Sequence, residues 1–326
     1  MARESNRHPL DATGIVELAV VERGGMIESR HLGAAVVVDA GGAVLNSLGN
    51  PDALVYPRSS LKPLQALTVL ECGVDLDDEE LVLATASHSG TEQHVAVVRR
   101  MLESVGLGED ALHCPPDWPL DSAAQAHARV GGERRRVTMN CSGKHASFLM
   151  ACVANGWSID DYLDPLHPLQ LRVHETVERF AGEPIGHSAT DGCGAPVFAL
   201  SLTGLARGIS HVGMGADERT ARLTSAIRRH PWAIAGEGTP NTVVIRELGL
   251  VAKVGAEGVM VMAASDGTAV AVKCVDGSSR ATTLVALELL ARAGVVGRDD
   301  ADRVIALTTE RVLGGGEPVG GIRAAF

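Results

Sequence analysis

Gly33-Ala34-Ala35-Val36-Val37-Val38-Asp39-Ala40-Gly41-Gly42-Ala43-Val44-Leu45-Asn46-Ser47-Leu48-Gly49 is the stretch on which the fold turns. A valine run fills its first half and a second apolar run its last. Ala40-Gly41-Gly42 stands where a hairpin needs its turn. Just upstream, GIVELAVVERGG (14–25) alternates in the manner of another antiparallel strand. Far downstream, residues 242–275 return to strand character, as VVIRELGLVAKVG, VMVMAAS and TAVAVKCV, parted by short turns such as Ser265-Asp266-Gly267. The sequence between reads as helix. Ser59 to Cys72 carries Leu61, Leu64, Leu67, Val69 and Leu70 at helical spacing, with Pro63 in the first turn. From about Glu79 to Gly156 the pattern is mostly helical, broken by a Pro/Asp loop at Cys114 to Asp121. Further helices are expected near 166–181, 196–206, 216–229 and 279–293. The expectation is an α/β (α+β) chain acting as one unit over 1–326. Regions 14–75 and 240–326 build one antiparallel sheet from both chain ends, with helices packed on it. A mainly helical region, 76–239, faces it across a cleft, the usual place for a small-molecule site.

Composition excludes several classes of function. The chain has 326 residues and a formal charge of −11, with 40 acids against 29 bases, so it lacks the clustered cations that displace phosphate counterions. The short basic run Arg134 to Arg136 reads as a solvated loop, and nucleic acid is not an expected partner. No apolar stretch approaches the roughly 20 residues that span a bilayer. Met1 to Gly14 is polar, without the apolar core of a signal peptide. Six widely spaced cysteines do not make a disulfide framework, and a reducing cytoplasm is expected. No glycine-rich phosphate loop follows a strand. Aromatics are only 3%, so the core must be built from Ala, Val, Leu and Ile.

Of the 29 basic residues only four are lysines: Lys62, Lys144, Lys253 and Lys273. Lysine can lose its proton at workable pH and act as base or metal ligand, which arginine cannot. Lys273, on an expected strand edge, reads as ordinary. The neighbours of the other three point to chemistry. In Arg58-Ser59-Ser60-Leu61-Lys62, a serine at a helix start and a lysine three residues on share a face. A helix N-cap serine beside a solvated lysine is the bland alternative. In Ala86-Ser87-His88-Ser89-Gly90, Ser87 can be a second nucleophile and His88 a substrate contact, or the segment is a capped turn. Asn140-Cys141-Ser142-Gly143-Lys144-His145 and the loop Asp191-Gly192-Cys193 carry two thiols and an amine. If the loops meet, Cys141, Cys193 and Lys144 can bind zinc, with Asp191 holding a water; otherwise the thiols are small hydrophobes. Lys253 sits among apolar residues in an expected interior strand, where desolvation would make it a usable base. Glu237, in the loop before it, can take a substrate ammonium group.

These stretches together resemble one family. PRSSLKPLQAL (57–67), ASHSG (86–90), NCSGKH (140–145), TDGC (190–193), GEG (236–238) and KVGAEG (253–258) are similar, in order, to the L-asparaginase II family of rhizobia and actinobacteria. The resemblance implies a fold like that of serine β-lactamases and glutaminases, and hydrolysis of L-asparagine to aspartate and ammonia by a homodimer. It implies Ser–Lys pairs at Ser59 with Lys62 and Ser87 with Lys253. It also implies zinc at Cys141, Cys193 and Lys144, with Asp191 nearby; since the serines already supply the nucleophile, zinc is not expected to be essential to the chemistry. Arg58 is the natural partner of a substrate carboxylate, with His145 and Glu237 as further contacts. Where some relatives carry a cysteine after Gly-Glu-Gly, this chain has Thr239, Pro240 and Asn241. The alternatives are a glutaminase or β-lactamase-like hydrolase, against which the absence of Lys-Thr-Gly speaks, and a non-catalytic zinc-binding regulatory module.

Overall fold

The computed structural model describes residues 8–326. Residues 1–7 of the polar N-terminal stretch, read above as lacking a leader, lie outside them. Three strands open the chain, β1 (Val16–Arg23), β2 (Met26–Val38) and β3 (Val44–Leu48), followed by a short β4 (Leu54–Val55). After a 3₁₀ turn at Arg58–Leu61 come α1 (Lys62–Glu71), α2 (Asp78–Thr85), α3 (Glu92–Ser104), α4 (Ser122–Arg129), α5 (Ser142–Asn155) and α6 (Pro168–Ala181). Next are β5 (His187–Thr190), β6 (Pro196–Ser201), α7 (Leu202–Met214), α8 (Glu218–Arg229) and α9 (Pro240–Leu248). The chain then runs through β7 (Val251–Gly255), β8 (Val259–Ala263), β9 (Ala269–Cys274), α10 (Thr282–Arg292), α11 (Arg298–Thr308), β10 (Val312–Gly314) and β11 (Glu317–Ala324).

The expected hairpin forms, with Ala35 opposite Leu48 and Val37 opposite Asn46. The main sheet has the order β10-β11-β1-β2-β9-β8-β7, all pairs antiparallel, with β3 added to β2. Both ends of the chain build it, as the alternating patterns predict. Val36 to Val38 and Ala269 to Val272 are buried on both pleat faces, beneath α7 and α10. That explains why these strands read as continuous apolar runs.

Two sequence expectations give way. The helix expected at 196–206 is strand β6 until Ser201, whose side chain then caps α7. β6 joins β4 and β5 in a second, three-stranded sheet. The strand expected from residue 243 is instead α9 up to Leu248; Pro240 stands in its first turn and Gly249 ends it in a left-handed conformation. Lys273 lies on β9, between β2 and β8, not on an edge. β7, taken for an interior strand, is the last strand of the sheet. Among the described residues no helix is long and apolar enough to cross a membrane.

Candidate active site

Ser87 stands where three segments meet. α2 begins with a capping box in which Asp77 and Glu80 bind each other's backbone N–H, and it stops when Ala86 turns extended. The next residues are pinned from both sides. Ser87 N–H donates to Ile234 O at 3.0 Å and His88 N–H to Asn140 O at 3.0 Å. The Ser87 hydroxyl is thereby fixed between two buried amines, with Lys253 Nζ at 2.9 Å and Lys62 Nζ at 3.1 Å.

Both amines come from packed elements. Lys253 is wholly buried on β7 and also donates to Val254 O at 2.9 Å. The open edge of β7 is covered by α9, where Asn241 Oδ1 accepts the Val254 N–H at 3.0 Å. Burial, with Lys62 alongside, pushes the Lys253 pKa well below the ordinary 10.5. Lys62, the first residue of α1, donates to Ala86 O and, at 3.0 Å, to Cys141 Sγ.

Ser59 sits on the 3₁₀ turn before α1. Its neighbour Ser60 is buried and gives its hydroxyl to Pro57 O, at 2.7 Å, so Ser60 belongs to the scaffold. Arg58 is held at φ 54°, a left-handed conformation unusual for a residue with a side chain. The turn is pressed against β7: a Cβ on Gly255 would stand 2.3 Å from Pro57 O and 3.2 Å from Ser60 N. Only glycine lets strand and turn approach so closely. Ser59 and Ser87 both line a cavity of ≈ 590 Å³. The structure thus brings Ser59, Ser87, Lys62 and Lys253 to one place. Lys62 reaches Ser87 rather than Ser59.

The thiols form a second cluster that touches the first. Lys144 Nζ lies 3.1 Å from Cys193 Sγ, and the Cys141 thiol hydrogen-bonds Cys193. That bond, with Lys144 beside it, lowers the pKa of Cys193. The same bond and burial raise that of Cys141. Burial opposes charge on Lys144, but the neighbouring Cys193 and Cys141 outweigh it and raise its pKa. Cys141 also contacts Lys62, so one sulfur joins the two clusters. Two sulfurs and one amine around a common point suit a borderline-soft divalent ion such as zinc. Among the described residues, no group of three His, Cys, Asp or Glu is disposed to hold a metal. Lys144 would have to be the third ligand.

The remaining expected contacts stand elsewhere. Arg58 Nε donates to Asp191 Oδ1 at 2.7 Å, which ties the Ser59 turn to the Cys193 loop. That loop leads into strand β6, not into the expected helix. His88 is buried; its Nε2 lies 2.8 Å from Ser142 Oγ, its Nδ1 accepts the Gly90 N–H, and burial keeps it neutral. His145 is buried against the Tyr162 hydroxyl at 2.8 Å, with its pKa lowered to about 4 by burial and Lys144. Neither histidine lines the cavity. Glu237 does, but both its oxygens face Arg246 Nη2, at 2.8 and 2.7 Å. Sequence reasoning missed Asp121, Asn241, Thr282 and Thr283, which line the cavity from three separate places in the chain. Asn241 had a signal: Thr239-Pro240 is a helix start.

Residues 19–324 match the model of a family described as L-asparaginase II. No curated protein matches the chain. Among solved structures it is similar to Mglu (13% identity, 82% of this chain and 68% of that one, TM-score 0.45). It spans 62% of the length of the Mglu chain in its glutamate form. It is also similar to a β-lactamase from Mycobacterium bovis (15% identity, 84% and 93% coverage, TM-score 0.35).

Proposed function

The chain belongs to the L-asparaginase II family, whose model spans residues 19–324, and from that premise we propose that this amidohydrolase converts L-asparagine to L-aspartate and ammonia. One observation supports the reading above all: the Ser87 hydroxyl between two buried amines, on a cavity that Ser59 shares. Ser59 attacks the side-chain carbonyl. Its proton enters the Lys62–Ser87–Lys253 relay, in which Lys253 is the amine that burial leaves uncharged. The tetrahedral intermediate expels ammonia, and the relay returns the proton to it. Water then attacks the acyl ester by the same route and releases aspartate.

The strained turn at Arg58 favours Ser59 as nucleophile, since backbone strain clusters where geometry serves function. The two amine contacts favour Ser87 as the second reading. Acid-quenched enzyme, digested and weighed after mixing with asparagine, separates them. An adduct on the peptide holding Ser59 is expected, and one on the Ser87 peptide selects the other. Steady-state ammonia release from asparagine, glutamine and a β-lactam, for native and Ser59→Ala protein, tests the substrate. Ser59→Ala should lose about 10³-fold or more in kcat. A native chain that releases no ammonia from asparagine ends the asparaginase reading and leaves the glutaminase, β-lactamase-like and non-catalytic readings.

Zinc is proposed at Cys141, Cys193 and Lys144, with Asp191 outside the ligand set because Arg58 holds it. Bound there, the ion would fix the two loops beneath the cavity; the serines, not the metal, supply the nucleophile. Elemental analysis should find zinc in the native protein and little in Cys193→Ser. A homodimer in a reducing cytoplasm is likewise proposed. All six cysteines are free thiols, as that compartment permits.

A further inference from the structure

The cavity holds two serines that could attack an amide, but its lining contains no arginine or lysine to meet a substrate's α-carboxylate. Arg58, the obvious candidate, is paired with Asp191. Uncharged donors must then serve, and one group of them stands at the start of α10. Its N-cap is Ala281, which has no side chain to cap with, and no acid stands in its first turn. Thr282 N–H turns back to Ser279 O at 3.1 Å, and the Thr282 hydroxyl takes the same oxygen at 2.9 Å. Thr283 N–H and Leu284 N–H find no such acceptor among the described residues. An uncapped helix start presents free N–H groups and the positive end of the helix dipole, a combination that favours an anion.

A second, independent feature singles out this terminus. Thr283 lines the cavity with only 6% of its surface exposed, and its hydroxyl makes no hydrogen bond within the described protein. The side chain is packed on all other sides, so its unbonded hydroxyl opens onto the cavity, where only solvent or a bound molecule can take it. Thr282 shows the contrast, its own hydroxyl being committed to Ser279.

We propose that the Thr283 hydroxyl, with the free N–H groups of the first turn of α10, binds the α-carboxylate of the amino-acid substrate. The inference rests on the reading that the substrate is a free amino acid carrying a side-chain amide. It makes Thr283 a specificity residue: a carboxylate is held, while an ester or peptide carbonyl at the same place lacks the charge the helix end attracts.

The test compares L-asparagine with its α-methyl ester, which keeps the scissile amide and loses the carboxylate charge. Thr283→Val, of nearly the same shape, should raise KM for asparagine about tenfold with kcat changed less than threefold. KM for the ester should not move, and Thr283→Ser should restore the native KM. An unchanged KM for asparagine, or an equal rise for both substrates, overturns the assignment. L-Aspartate titrated calorimetrically into both proteins reads the subsite without turnover: a tenfold weaker Kd in Thr283→Val is expected, and equal Kd values reject it. Absence of ammonia from native enzyme would instead fault the asparaginase reading, and the titration would still decide the subsite.

Discussion

At the scale of single residues, the scarcity of lysine was the most legible signal. Three of four lysines end buried beside thiols or a hydroxyl, and the fourth, Lys273, donates to the carbonyls of Glu257 and its own neighbour Cys274. What the sequence could not disclose was competition. Arg58 looked free for a carboxylate until folding brought Asp191 to it, and the local pattern around Glu237 did not announce Arg246. Keeping Lys253 uncharged has a thermodynamic consequence. In the unfolded chain Lys253 titrates near 10.5, whereas in the fold its pKa lies well below. The unfolded state therefore binds more protons between those values, and burial of this amine costs stability that is regained as pH rises. Lys253→Met should be inactive yet more stable at pH 7. Its advantage should shrink by about 1.4 kcal/mol per pH unit toward 10.5. Denaturant melts at pH 7, 8 and 9 read this directly, and a constant or widening gap would mean the native amine is charged. On the enzymatic side, kcat/KM should rise with pH through a limb below the ordinary lysine range.

At the scale of elements, the site depends on where helices stop and how closely a strand can approach. The Asp77 capping box starts α2, and the far end of that helix delivers Ser87. Asp77→Ala should lower stability by about 1 kcal/mol, seen in a chemical melt, with kcat little changed. Gly255 is less forgiving. A methyl group there meets the backbone of Pro57, which cannot yield as a flexible side chain would. Gly255→Ala should push the Ser59 turn away, cutting kcat/KM tenfold or more and lowering stability by about 1–3 kcal/mol. Native kinetics in that variant would show that the turn has slack. The sequence misled at this scale for definite reasons. Pro196-Val197-Phe198-Ala199-Leu200-Ser201 is a short buried apolar run, which periodicity cannot assign to strand or helix. The valines and isoleucine of α9 imitated a strand and hid the helix start at Thr239-Pro240.

For the molecule as a whole, the hairpin and the return of strand patterns after residue 250 were enough to foresee one sheet drawn from both ends. The second sheet was not foreseen, because β4 has two residues and β5 is exposed along its length. β11 was hidden too: Gly320 and Gly321 and exposed side chains give it little apolar alternation. Yet β11 covers β1, whose Leu18 to Val21 are almost wholly buried. Removing residues 317–326 should leave that strand as an open edge and send the protein into the insoluble fraction on expression. Soluble, active protein from that truncation would mean that β11 is dispensable. The pairing of Ala19 with Ala324 also sets a timetable. At roughly 5–20 residues per second, β1 is made long before the partner it meets in β11. Until then β1 has only β2 beside it, while the helical portion emerges. A translation product that stops just short of residue 317 therefore carries the serines and the amines but lacks the strand that covers β1, so hydrolytic power should arrive only once that strand has been made.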